Sequence, residues 1–310
     1  MRHNAEETLM DNVVANKPAK NELLQSLIFP FFFVVIYGSG FVGAKYGLPY
    51  STPLSFLSLR FLIAAAILFL VASMLKVAIP ARRDMLHIAV AGTLTVAMFS
   101  ISVFASIDMG LSPALSALII ALQPILVGFL ARYMVGEKLI LRQWGGLVAG
   151  LVGVAMVVGH KANLNMAPLI PIAMSVLGLL GLTFGNLYQK KFCANMNVIS
   201  GGCIQSLASA VICLLLLPFF GQYKAEWSIE FIGALAYMSV GVSIGALTML
   251  YLMIRRGEVS KVASVFYLVP VSAAVASYLI YGETFDNALW RCGGCSGRIS
   301  YQQGIKPLLK

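Results

Sequence analysis

Charged and reactive side chains are few in this chain, and where they stand limits the chemistry they can do. Only 11% of the 310 residues are charged. Arg60 falls inside the apolar stretch 53–75. At the centre of a bilayer such a charge costs about 2.5–3.5 kcal/mol, so it must face protein or a wet cavity. There it either draws in a solute carrying a carboxylate, or it ties its own helix to neighbouring carbonyls and snorkels toward an interface. Arg132, close to the end of a later apolar run, fits snorkelling. Glu137 and Glu283 each stand just beyond such a run, where a carboxylate pairs with a base or orders a turn. No Asp or Glu lies in the interior of an apolar stretch, so a proton relay through a buried carboxylate has no carrier.

Enzymatic chemistry finds no such footing. His3, His87 and His160 sit in tail or loop edges, none of them spaced with Cys, Asp or Glu as a metal site or nucleophile triad needs. Cys193, Cys203 and Cys213 lie in or beside apolar runs, where a free thiol behaves as a small hydrophobe. Cys292-Gly-Gly-Cys295 has a redox-like spacing but falls in an atypical tail. No catalytic residue, metal site or cofactor is expected.

Proline supplies a different kind of chemistry. Pro124 and Pro270 lie 146 positions apart, each at the same depth of an apolar run. Proline removes a backbone donor and pushes on the carbonyl four residues earlier, freeing acceptors that lipid cannot satisfy. Those carbonyls are expected to face a cavity, in the manner of the broken helices of carriers. Gln123, Ser264 and Tyr267 stand beside them and are polar enough to orient a solute. Together with Arg60, the substrate cavity is expected to draw on Ser39, Phe41, Met98, Ser102, Asn186, Tyr188 and Tyr251. Each of these taken alone also reads as ordinary helix packing.

The elements that must hold these residues follow from composition. With 59% hydrophobic residues and a mean hydropathy of +0.87, the chain is far more apolar than a soluble domain, and its charges fall between runs of about 20 apolar residues. The reading is an all-α integral membrane protein. Nine helices are predicted, near 24–43, 53–75, 85–105, 113–135, 143–159, 168–189, 198–220, 229–254 and 262–281. Four glycine pairs at a spacing of four, among them Gly181 with Gly185 and Gly146 with Gly150, are assigned to close helix approach.

The net charge of +10 is a topology signal rather than a nucleic-acid footprint, because Lys and Arg gather in short loops. Lys76, Arg82, Arg83, Lys138, Arg142, Lys190, Lys191, Arg255, Arg256 and Lys261 follow the even-numbered helices. Only Lys45, Lys161 and Lys224 follow the odd ones, which puts the amino terminus in the cytoplasm.

The chain also writes one unit twice. Ala117–Glu137 and Ala263–Glu283 share Ala, Leu, Pro, Gly and Glu at equal spacing, and GFVGAK at 40–45 matches GNLYQK at 185–190. Five helices is an odd number, so the second copy enters the membrane from the opposite side and the repeats are inverted. The expected organisation is a cytoplasmic polar tail over 1–22, a first repeat over 23–159 and a second over 168–290. The second repeat lacks its last helix: agreement runs to Trp290, the partner of Trp144, and residues 291–310 read as an atypical, frameshifted tail.

These residues resemble the drug/metabolite transporter superfamily and, within it, the EamA-type ten-helix carriers. The resemblance rests on Tyr37 to Lys45 (YGSGFVGAK), on Arg60-Phe61 and on the two runs from proline to Gly-Glu, and it covers about residues 24–290. It departs at Tyr37, where the family pattern usually has tryptophan, and at the tenth helix. The resemblance implies two inverted five-helix halves in a bacterial plasma membrane, moving metabolites such as amino acids, or drugs, commonly outward by alternating access. An inactive or structural membrane protein is the alternative that the missing helix raises. The expected partners are a small-molecule substrate and the lipid bilayer, with a homodimer left open and no nucleic acid.

Overall fold

A bilayer leaves backbone N–H and C=O groups no partner but one another, which is why apolar runs of this length fold as helices. The computed structural model describes residues 20–158, 169–220, 222–257 and 259–281. Among them α1 spans Lys20–Gly47, α2 Pro53–Met74 and α3 Arg82–Asp108. α4 is in two pieces, Pro113–Ile120 and Gln123–Met134, and α5 spans Leu141–Val158. α6 is Leu169–Phe192 and α7 Val198–Phe220. α8 runs through Ile229–Ala236, Tyr237–Ala246 and Leu247–Arg256; α9 runs through Val259–Ser264, Val265–Leu268 and Val269–Tyr281. Eight of these helices are long and apolar enough to cross a membrane. The expected altered end after Trp290 lies outside the described residues.

Local sequence sets the starts. Thr52 and Ser112 each accept a backbone N–H three residues on, from Ser55 and Leu115, with a proline at the first helical position. Ser228 does the same for Phe231 without a proline. Asn197 Oδ1 accepts from Ile199 and Ser200 at the head of α7. Glycine in left-handed backbone follows two helix ends: Gly110 at φ +96 after α3 and Gly136 at φ +77 after α4.

The nine helices pack as two interleaved units. α1 lies along α8 and α9, α6 lies along α3 and α4, and α2 runs beside α7. Exchanging first-half helices for their second-half counterparts turns the first of these contacts into the second and leaves the third unchanged, as two inverted repeats require. Local irregularities obey the same symmetry. α3 carries a π-helical stretch over Thr93–Met98, and α8 carries one over Tyr237–Ala246, which begins 144 positions on. α4 breaks at Ala121 and Leu122; α9 tightens to a 3-10 turn over Val265–Leu268 at the matching depth.

Lipid tails are as apolar as leucine, so helices associate here through tight packing rather than water exclusion. A Cβ on Gly185 would meet Thr95 Cγ2 at 2.4 Å, and one on Gly92 would meet the Gln205 backbone at 2.6 Å, which brings α3 against α6 and α7. Gly146, by contrast, faces open space, so of the pair it forms with Gly150 only Gly150 packs closely, its Cβ position 2.8 Å from the Tyr267 ring. Phe33, Phe56, Phe61, Phe231 and Phe266 fill the interior, while Phe31, Phe69, Leu70, Leu215 and Phe219 stand outward, where lipid receives them.

The two ends of the bundle differ. At one, Lys190 Nζ donates to the carbonyls of Ile254 (2.9 Å) and Gly257 (2.7 Å), and His87 Nδ1 lies 2.7 Å from Tyr188 Oη. The loops bearing Lys76, Lys138, Lys190 and Arg255 therefore share this basic end. At the far end the first and seventh loops meet: Ser51 bridges Ala225, Glu226 N donates to Tyr50 O at 2.9 Å, and Ser51 Oγ donates to Lys224 O at 2.7 Å.

Candidate functional site

The interior is not filled everywhere. α1, α2, α3 and α8 border a narrow space of about 30 Å³, well short of the roughly 300–1,000 Å³ of a small-molecule site, so a solute enters only as it widens. Its walls are apolar and aromatic, with Phe41, Phe99 and Phe104 among them, and both π stretches contribute, through Thr95 and Val96 on one side and Met238 and Val242 on the other. A π turn displaces the side chains that follow from their α-helical register, and such turns recur at functional sites.

Arg60 is in this wall. It is 4% exposed and is the one charged side chain among the buried described residues. Nε donates to Ser243 Oγ on α8 at 2.7 Å, and the guanidinium carbon lies 5.2 Å from the ring of Phe61 and 6.0 Å from that of Phe104. The expected ties to backbone carbonyls are not made, and the side chain does not snorkel: a hydroxyl of the other half holds it. Tyr37 stands on the same wall, its ring stacked between Phe33 (5.0 Å) and Phe99 (5.9 Å), and its buried hydroxyl has no hydrogen-bond partner.

Two smaller spaces continue from this cavity toward the basic end. One of about 10 Å³ shares Val96 and Leu247 with it and adds Gln205, Ser206, Ser243 and Tyr251. The next, also about 10 Å³, shares Tyr251 and reaches Gln189, Cys193 and Arg255. Gln205 Nε2 donates to Gln189 Oε1 at 2.7 Å between them, and the buried Tyr251 stands at their junction. Gln205 stands 145 positions after Arg60, so the two repeats place a cation and an amide at equivalent points.

The basic end is tied across the halves by Glu137. Oε1 accepts from Val259 N at 2.9 Å; Oε2 accepts from Ser260 N at 3.2 Å and from Ser260 Oγ at 2.8 Å. The carboxylate that closes α4 thus caps the start of α9, which is neither a local base pair nor its own turn. Glu283 lies outside the described residues. In the adjoining loop Cys193 is buried, and that burial pushes its thiol up to about 11.

Of the expected cavity residues, Phe41 and Arg60 line the main space and Tyr251 lines the two behind it. The others lie elsewhere. Ser39 bonds back to Val35 O at 2.7 Å and meets Tyr237 Oη on the α1–α8 seam. Met98 and Ser102 pack onto Gly181 and Gly178 of α6. Tyr188 is held by His87 at the basic end, and Ser264 is exposed on α9. Gln123, Asn186 and Tyr267 are buried away from the main space, with Gln123 Nε2 and Oε1, Asn186 Oδ1 and Tyr267 Oη unpartnered.

Pro124 and Pro270 do not line the cavity either. Each stands in the first turn of a new helical piece, Gln123–Met134 or Val269–Tyr281, where a missing N–H leaves no bond unmade. Sequence reasoning missed Gln189, Gln205 and Ser243, whose signal was a polar side chain inside an apolar run. Phe99 and Phe104 carried no signal, being ordinary in such runs.

Comparison with known proteins bears on what this arrangement does. Residues 25–159 and 169–297 each match the model of the EamA-like transporter family. "Uncharacterized transporter YvbV" of Bacillus subtilis (strain 168) is 26% identical over 83% of this chain and 84% of its own length. "Uncharacterized inner membrane transporter YedA" of Escherichia coli (strain K12) is 26% identical over 83% of each chain. "Probable amino-acid metabolite efflux pump" of the same strain is 24% identical over 81% of this chain and 85% of its own. One solved crystal structure superposes with a TM-score of 0.67 at 17% identity, over 83% of this chain and 88% of that one, and so shares the fold. Two tandem matches spanning nearly every described helix make this multi-pass membrane protein a member of the EamA-like transporter family, within the drug/metabolite transporter superfamily.

Proposed function

We propose that the chain is a secondary carrier that expels small organic solutes across a bacterial plasma membrane by alternating access between its inverted halves. The observation that carries this reading is the row of narrow spaces along α8, the largest bordered by α1, α2, α3 and α8 and the others nearer the end that Glu137 and Lys190 tie down. A pore would need a continuous opening; a carrier needs a site reachable from one side at a time. Positive loops belong in the cytoplasm, so the tied end is the inner one and the described state is closed inward. The names of the relatives, a metabolite efflux pump among them, support outward movement of solute.

The test is flux in liposomes holding the purified protein, with amino acids, nucleosides and cationic drugs as solutes. Uptake that saturates with concentration is expected for at least one of them. Linear flux would leave a channel, and no flux above protein-free vesicles would leave a structural protein.

A further inference from the structure

We infer that the cavity takes an organic anion: a carboxylate paired with Arg60, joined to an apolar or aromatic body and lacking a free ammonium group. This rests on the carrier reading for what happens after binding, but the binding itself does not depend on it. Arg60 is buried, and among the described residues it has no acidic partner: its one hydrogen bond goes from Nε to the neutral Ser243 hydroxyl. A desolvated guanidinium without a counterion is unfavourable until an anion meets it, and its planar fork suits two carboxylate oxygens. Tyr37 sets an unpartnered, buried hydroxyl on the same wall, a further donor for that group.

The rest of the solute meets Phe41, Phe99 and Phe104. Among the described residues no Asp or Glu lines the space, so an ammonium would find no counter-charge there and would share a small volume with a fixed cation. The lining therefore selects by charge: once the space widens to admit a solute, it favours an N-acylated amino acid over the free amino acid with its ammonium.

Four probes with one side chain test this: N-acetylphenylalanine (anion), N-acetylphenylalaninamide (neutral), phenylalanine (zwitterion) and phenylalaninamide (cation). Binding to the purified protein in detergent is read by calorimetry, and flux is read separately in liposomes. The anion is expected to bind at least about tenfold tighter than its neutral twin. Arg60→Met is expected to bring the two within about twofold, and Arg60→Lys to keep part of the preference, since it retains charge but not the fork. The ratio of two probes on one variant is not moved by a general loss of folded protein; if Arg60→Met does not fold, the wild-type and Arg60→Lys ratios decide. Parity of anion and neutral probe on the wild type would overturn the inference, as would tighter binding of zwitterion or cation, binding of none, or a ratio unchanged in Arg60→Met. Anion binding without flux of any probe would overturn the carrier reading alone.

Discussion

Replacing Glu137 removes three acceptor contacts at once, two of them to backbone N–H groups at the head of α9. Loss of a helix cap typically costs about 0.5–2 kcal/mol, so Glu137→Ala should lower the midpoint of thermal unfolding in detergent. It should also loosen the basic end. Cys193 reports this directly: burial keeps its thiol protonated below about 11, so near neutral pH it should resist maleimide in the wild type. With the other cysteines replaced by serine, Glu137→Ala is expected to speed its labelling severalfold, and an unchanged rate would mean that the cap does not hold this end shut. Arg60 was legible in the sequence because a charge inside an apolar run has few places to go. What it touches was not, since Ser243 lies 183 positions away and no local pattern marks it. Glu137 was read as local for the same reason: its partners are 122 and 123 positions off.

Among the helices, the tightest approaches give the sharpest expectations. Gly92 meets the backbone of Gln205, which cannot swing aside, so Gly92→Val should cost about 1–3 kcal/mol by overpacking. Gly146→Val is its control, since nothing lies within 4 Å there. Equal unfolding midpoints for the two variants would contradict the packing of α3 on α7. The nine helices were readable from composition because a bilayer permits little else. The two prolines were readable as breaks but not as helix starts, because the sequence does not show where the preceding turn ends. The π stretches left no trace: TLTVAM and YMSVGVSIGA look like any apolar helix, and the extra residue in the turn is a matter of backbone register.

The duplication and the gathering of basic loops at one end are properties of the whole molecule, and both could be read from spacing and charge alone. The order of the internal spaces could not, because it depends on which helices lie side by side. The repeat symmetry maps two major contacts onto themselves, the pairing of α2 with α7 and that of α4 with α9, and the first is the more extensive. If the two halves trade shapes during a cycle, the α1–α8 and α3–α6 seams are exchanged for one another while these two pairs keep their partners, but the Glu137 tie holds α4 to α9 at the basic end alone and its image under the exchange lies at the far end. Cys203 Sγ already lies 3.5 Å from the Ala65 carbonyl across it. A short thiol crosslink between Cys203 and Ala65→Cys should therefore spare flux, whereas a similar link between α4 and α9 at Glu137 and Ser260 should stop it. The α2–α7 seam would then be the axle of the molecule, the line about which the rest turns without itself being remade.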